Sequence, residues 1–71
     1  MNVWVNEQEV ETFSGALVRD AVLRYSKEKY RQLIGGGQIA VDWQGNRVYP
    51  DGALTEGDRL YLKKNQKGGN E

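Results

Sequence analysis

Residues whose types and spacing can do chemistry fall in two places. The C-terminal stretch Asn65-Gln66-Lys67-Gly68-Gly69-Asn70-Glu71 is polar, lacks an apolar anchor and contains a glycine pair. Two consecutive glycines let an extended chain lie in a slot too narrow for any Cβ. The same composition also describes an untethered chain end, so the tail alone leaves both readings open. The second place is the pair Trp4 and Tyr61, whose chemistry is recognition rather than reaction. Elsewhere the inventory is spare. The chain has no Cys and no His, which removes disulfides, Cys/His metal sites and His- or Cys-based catalysis. No loop carries spaced acids for a carboxylate metal site. Glu7, Glu9 and Glu11 read as a solvated hairpin edge. Gly35-Gly36-Gly37 is not a phosphate loop, because that motif needs Gly-Lys-Ser/Thr opening a helix, and here a strand-like run follows. With no nucleophile–base pair and no cofactor motif, the expectation is a protein that is not an enzyme and binds no cofactor.

Seventy-one residues make one small domain. Ten basic residues balance ten acidic ones, which argues against a chain built mainly to hold nucleic acid. No apolar run approaches the length that spans a bilayer, and no basic-then-apolar leader opens the chain, so a soluble, cytoplasmic protein is expected. Apolar residues make up 38%, with two Trp and four Tyr, enough for a packed core. Oligomeric state is not readable.

The elements that must position these residues follow from periodicity. Asn2-Val3-Trp4-Val5-Asn6 alternates with period two, Val3 and Val5 on one face and Trp4 on the other. A polar turn over residues 6–9 leads to a second strand at Val10–Phe13, making a hairpin. Ser14 has the type of a helix N-cap. Val18, Ala21, Val22 and Tyr25 follow the spacing of one buried helical face. Lys27-Glu28-Lys29 interrupts that stripe, and Tyr30, Leu33 and Ile34 resume it out of register. This predicts either one drifting helix or a helix followed by a short second turn, ended by the glycine triplet. Gln38–Trp43 reads as a third strand with Ile39, Val41 and Trp43 inward. Arg47–Tyr49 is a short extended piece before the turn at Pro50-Asp51-Gly52. Leu54 anchors a second connection in which Gly57 supplies a positive φ. Arg59–Lys63 is the last strand, with Leu60 and Leu62 inward and Tyr61 and Lys63 outward. The expected fold class is α+β: a four- to five-stranded mixed sheet packed on one main helix, the other sheet face open. The domain is expected over residues 1–64, with residues 65–71 a flexible tail.

Val3-Trp4-Val5-Asn6 with Glu9, Ala16–Val22, Ile39-Ala40-Val41-Asp42, Leu54-Thr55-Glu56-Gly57-Asp58-Arg59-Leu60 and the terminal Gly68-Gly69 together resemble the ubiquitin-like β-grasp proteins, and among them the ThiS/MoaD sulfur-carrier family. The resemblance spans nearly the whole chain in short pieces. Asp42 stands where the family has Asn. The Leu-x-x-Gly-Asp segment is shared with TGS domains, which have the same fold and accompany RNA-related enzymes. The resemblance implies a β-grasp, with the first and last strands parallel in the middle of the sheet. It also implies a carrier or ubiquitin-like modifier, adenylated at a C-terminal glycine carboxylate by an E1-like activating enzyme that uses ATP. In the family the diglycine ends the chain. Here Asn70-Glu71 follow it, so a processing protease would have to expose Gly69.

The alternative function is a non-catalytic ubiquitin-like interaction module working through the open sheet face. Alternation points Trp4 and Tyr61 away from the core on neighbouring strands, with Ala40 joining them. Such exposed aromatics are enriched at partner-binding sites. Lys63, Lys64 and Lys67 make the approach to the tail basic. They suit a partner with an acidic channel and equally serve solubility.

Overall fold

The computed structural model describes residues 1–65, which form five strands and two helices. Strand β1 is Asn2–Val5 and β2 is Gln8–Glu11. They pair antiparallel, with Val5 opposite Gln8, so the loop between them is only Asn6-Glu7. Both loop residues have positive φ, 51° and 67°. This is the mirror-image turn that matches the twist of a hairpin. The second strand therefore starts earlier than the alternation from Val10 suggests.

Helix α1 is Val18–Tyr25 and α2 is Lys27–Gly35. The expected Ser14 cap is not used. Leu17 occupies the cap position, and its N–H donates to Asp20 Oδ2 at 2.8 Å. The two helices are separate because Ser26 is extended, with φ −167° and ψ 125°. It ends α1, its N–H donating to Val22 O at 2.8 Å, and caps α2, its Oγ accepting from Lys29 N at 3.2 Å. The out-of-register apolar stripe thus marks a break, and two helices replace the one expected. Gly36 closes α2 in the left-handed region at φ 92°.

Strands β3 (Gln38–Asp42), β4 (Arg47–Val48) and β5 (Arg59–Lys64) complete the sheet. The spatial order is β2-β1-β5-β3-β4. Strands β1 and β5 are parallel, and the other neighbours are antiparallel. One sheet face carries Val3, Val5, Val10, Ala40 and Leu60 onto Val18, Ala21 and Val22 of α1 and Leu33 of α2, with Leu54 closing one end. Leu62 and Val48 flank this core.

The phase of β3 is opposite to the sequence reading. Ala40 is completely buried and lies in the core, not on the open face with Trp4 and Tyr61. Its register partners Leu62 and Val48 share that side. Ile39 and Val41 therefore face the other way, and Trp43 is 68% exposed rather than inward. A residue without side-chain length fits where β3 runs closest to the helices, and the larger neighbours turn outward. Among the described residues no helix is long and apolar enough to cross a membrane.

Candidate functional site

The sheet face away from the helices is built by register alone. Trp4 on β1 is aligned with Arg59 on β5. On β5 and β3 the pairing runs Leu60–Asp42, Tyr61–Val41, Leu62–Ala40 and Lys63–Ile39. Val41 in turn pairs with Arg47 on β4. Trp43 lies just past the end of β3, in the turn that the Gly45 N–H closes onto Asp42 O at 2.9 Å, and Tyr49 lies just past the end of β4. The face is thus three cross-strand rows. The first reads Glu9, Trp4, Arg59; the second Tyr61, Val41, Arg47; the third Lys63, Ile39. Successive rows lie two residues apart along the strands, about 6.8 Å.

The first two rows each combine a cation with an aromatic ring. Two of the cations rest on rings. The Arg59 guanidinium carbon is 5.4 Å from the Trp4 ring centroid, and that of Arg47 is 4.8 Å from the Tyr49 ring. Both distances lie within cation–π range. Trp43 and Tyr49 are exposed and Trp4 and Tyr61 half-buried, while Val41 is buried between its flanking partners.

One acid enters these rows: Glu9 on β2 is the register partner of Trp4, and Glu11, two residues on, shares its face. Asp42 faces the other way, and its Oδ1 accepts from Gln44 N and Asn46 N, both at 2.9 Å, closing the β3–β4 turn. The Asp58 carboxylate accepts from Thr55 N at 2.9 Å and Thr55 Oγ1 at 3.1 Å, holding the turn before β5. Glu9 and Glu11 lie at the β2 margin, where Asn2 Nδ2 donates to Glu9 Oε2 at 2.6 Å. The open face thus carries Arg59 and Lys63 on β5 and Arg47 on β4, with Glu9 and Glu11 on β2.

One shallow cavity of 170 Å³ adjoins the first row, lined among others by Trp43, Arg59, Asp42 and Asp58. Its two acids are the turn-closing carboxylates just described. Among the described residues, no group of three or more acidic side chains converges as a metal site would require.

Of the residues singled out in the sequence, Trp4, Tyr61 and Lys63 do share the open face. Lys64 is exposed at the end of β5 but lies on the helix side, in phase with Leu60 and Leu62. Ala40 is in the core. Gly68 and Gly69 lie outside the described residues. Arg59, Arg47, Tyr49 and Trp43 were not anticipated. The signal for Arg59 was available, since it stands two residues before Tyr61 and so shares its face. The signal for the β4 residues was not, because it depends on the phase of β3.

The chain leaves the sheet at a defined place. Asn65 N donates to Gly37 O at 3.0 Å and Asn65 Nδ2 to Gly36 O at 2.7 Å, so the end of β5 is fastened to the turn after α2.

No protein-family model matches this chain, and no curated protein matches it.

Proposed function

We propose that the chain is a ubiquitin-like β-grasp protein serving as a small carrier or modifier, a substrate for its partners rather than a catalyst. The observation that carries the reading is the place of β5: it is central, parallel to β1, and its end is fastened at Gly36 and Gly37. A sheet organised this way fixes where the described residues end, with Asn65 held beside Gly36 and Gly37, and Gly68-Gly69 follow in sequence. An extended glycine pair suits a narrow channel, since no Cβ obstructs it.

In this reading a protease first hydrolyses the Gly69–Asn70 bond and leaves a free Gly69 carboxylate. An E1-like enzyme transfers AMP from ATP to that carboxylate, releasing pyrophosphate. A sulfur donor, or a lysine amine in the modifier case, then displaces AMP. The exposed Lys63 and Lys64 lie on the approach and suit an acidic partner channel. Intact mass of the protein purified from its own host tests the proposal. A species ending at Gly69, or that species with one oxygen replaced by sulfur, is expected. A single species keeping Asn70 and Glu71 while the pathway is active would overturn it.

The second reading is an interaction module that works through the open face. Its support is the trio of rows carrying Trp4, Tyr61, Arg59 and Arg47, residue types enriched at interface hot spots. The two readings separate on one substitution: Gly69→Ala abolishes a carrier and leaves a binding face intact.

A further inference from the structure

The cavity beside the first row has two kinds of wall. Its base is apolar: Val18, Leu54 and Leu60 are buried and Val48 is half-buried. Its rim carries the Asp42 and Asp58 carboxylates and the exposed Trp43 indole. Among the described residues neither carboxylate has a cationic partner. Arg59, the cation of the lining, is turned to Trp4, its guanidinium carbon 5.4 Å from that ring centroid. At 170 Å³ the space is smaller than the roughly 300–1,000 Å³ of sites that hold drug-sized ligands, and it suits a single side chain. An apolar base under an acidic, aromatic rim calls for a side chain that is aliphatic along its stem and cationic at its tip.

Which cation fits follows from the oxygens left open. Asp42 Oδ1 accepts from Gln44 N and Asn46 N, while Oδ2 accepts from nothing among the described residues. Each Asp58 oxygen accepts one bond from Thr55. Neither carboxylate offers two unbonded oxygens to a guanidinium fork, whereas one open oxygen suffices for an ammonium on a flexible stem. Ala53 supplies backbone groups. It pairs with Leu17 in an isolated antiparallel bridge, closed by Val18 N donating to Gly52 O at 2.9 Å and Leu54 N to Ala16 O at 3.2 Å. In that pattern the N–H and C=O of the bridged residue point away from its partner. Those of Ala53, which lines the cavity and is exposed, have no partner among the described residues. An extended peptide can bond to both, as an added strand does. From these juxtaposed groups we propose that the cavity binds the lysine side chain of an extended segment of a partner protein, its ammonium at Asp42 Oδ2 and Trp43 and its backbone along Ala53.

The inference goes beyond both readings above, since it needs neither the open face as a contact surface nor the tail. The test is an NMR titration of the full chain with a capped serine pentapeptide carrying lysine at its centre, following the Ala53 amide and the Trp43 indole N–H. Saturable shifts of both signals are expected. Norleucine in place of the lysine keeps the stem and removes the charge, and is expected to weaken binding at least about tenfold. Arginine at the same place is expected to bind more weakly than lysine. Asp42→Asn keeps an oxygen for the Gln44 and Asn46 N–H groups and removes the charge, and is expected to cost the lysine peptide about the same tenfold. Glu28→Gln, at an exposed position on α2, is expected to change nothing. Melting curves confirm that each variant folds, and the peptide series decides the matter on the unaltered chain if Asp42→Asn does not. Equal binding of the norleucine or arginine peptide would overturn the proposal, because no ammonium would then be selected. Butylamine, the bare side chain, binding as tightly as the peptide would also overturn it, in favour of a free amine as the ligand. If no peptide shifts either signal, the proposal falls, while the carrier reading and the open-face reading are untouched.

Discussion

Arg59 and Trp4 are aligned neighbours on the only parallel strand pair among the described residues, and the guanidinium carbon of one lies 5.4 Å from the ring centroid of the other. The contact ties the first strand to the last across most of the sequence. It also fixes which way both side chains lie on the open face. Cation–π contacts at exposed sites contribute about 0.5–1 kcal/mol. A double-mutant cycle of Trp4→Leu and Arg59→Gln, read by chemical denaturation, is expected to return a coupling of that size. Additive single effects would mean the two side chains do not interact in solution.

The hairpin loop offers a stabilising change. Glu7 holds a left-handed conformation at φ 67°, which costs a residue with a Cβ about 1 kcal/mol relative to glycine. Asn6, at φ 51°, is already a residue that tolerates it. Glu7→Gly is expected to raise the melting temperature by about 4–8 °C, the shift that about 1 kcal/mol produces in a domain of this size. A lower melting temperature would show that the Glu7 side chain makes a compensating contribution.

Two further glycine positions are expected to respond in opposite directions. Gly57 has φ 86° and open space around its missing Cβ, so Gly57→Ala meets backbone strain alone, about 1 kcal/mol. Gly35 ends α2 at an ordinary φ, also with open space around it, so Gly35→Ala is expected to stabilise by up to about 1 kcal/mol through helix propensity. Thermal melts of the pair check both signs.

The break between the helices depends on Ser26. Its Oγ accepts the Lys29 N–H at 3.2 Å, satisfying one of the free donors that begin α2. Ser26→Ala is expected to cost about 1 kcal/mol. Hydrogen exchange is expected to rise first at the amides that open α2 rather than in the sheet; uniform loss of protection would show that the cap holds the whole fold and not one helix end.

Ala40 and Val41 test the phase of β3. Ala40→Leu forces a larger side chain into a filled core and is expected to destabilise by about 1–3 kcal/mol. Val41→Thr, on the open face between Tyr61 and Arg47, is expected to cost less, because it adds no volume and its side chain does not face the helices. Equal losses at both positions would contradict the observed phase.

Much of the architecture was legible in the residues themselves. The alternation of Val3 and Val5 and of Leu60 and Leu62 marked two strands and their inward faces, since a strand with one buried face shows period two. Val18, Ala21 and Val22 marked the buried side of α1 through helical spacing, and Leu54-Thr55-Glu56-Gly57-Asp58 carried its own turn, with Gly57 at positive φ and Asp58 holding Thr55. These are local signals, decided within a few residues. What only the tertiary structure decided is long-range. Ile39-Ala40-Val41 alternates two large apolar residues around a small one, and by itself that pattern suits Ile39 and Val41 inward. Packing reverses it, because β3 lies between β5 and β4 and its register with Leu62 and Val48 puts Ala40 under the helices. A one-residue change of phase moves every side chain of a strand to the opposite face. That single long-range choice sends Ile39 and Val41 outward and sets Arg47 and Tyr61 on either side of Val41 on the open face.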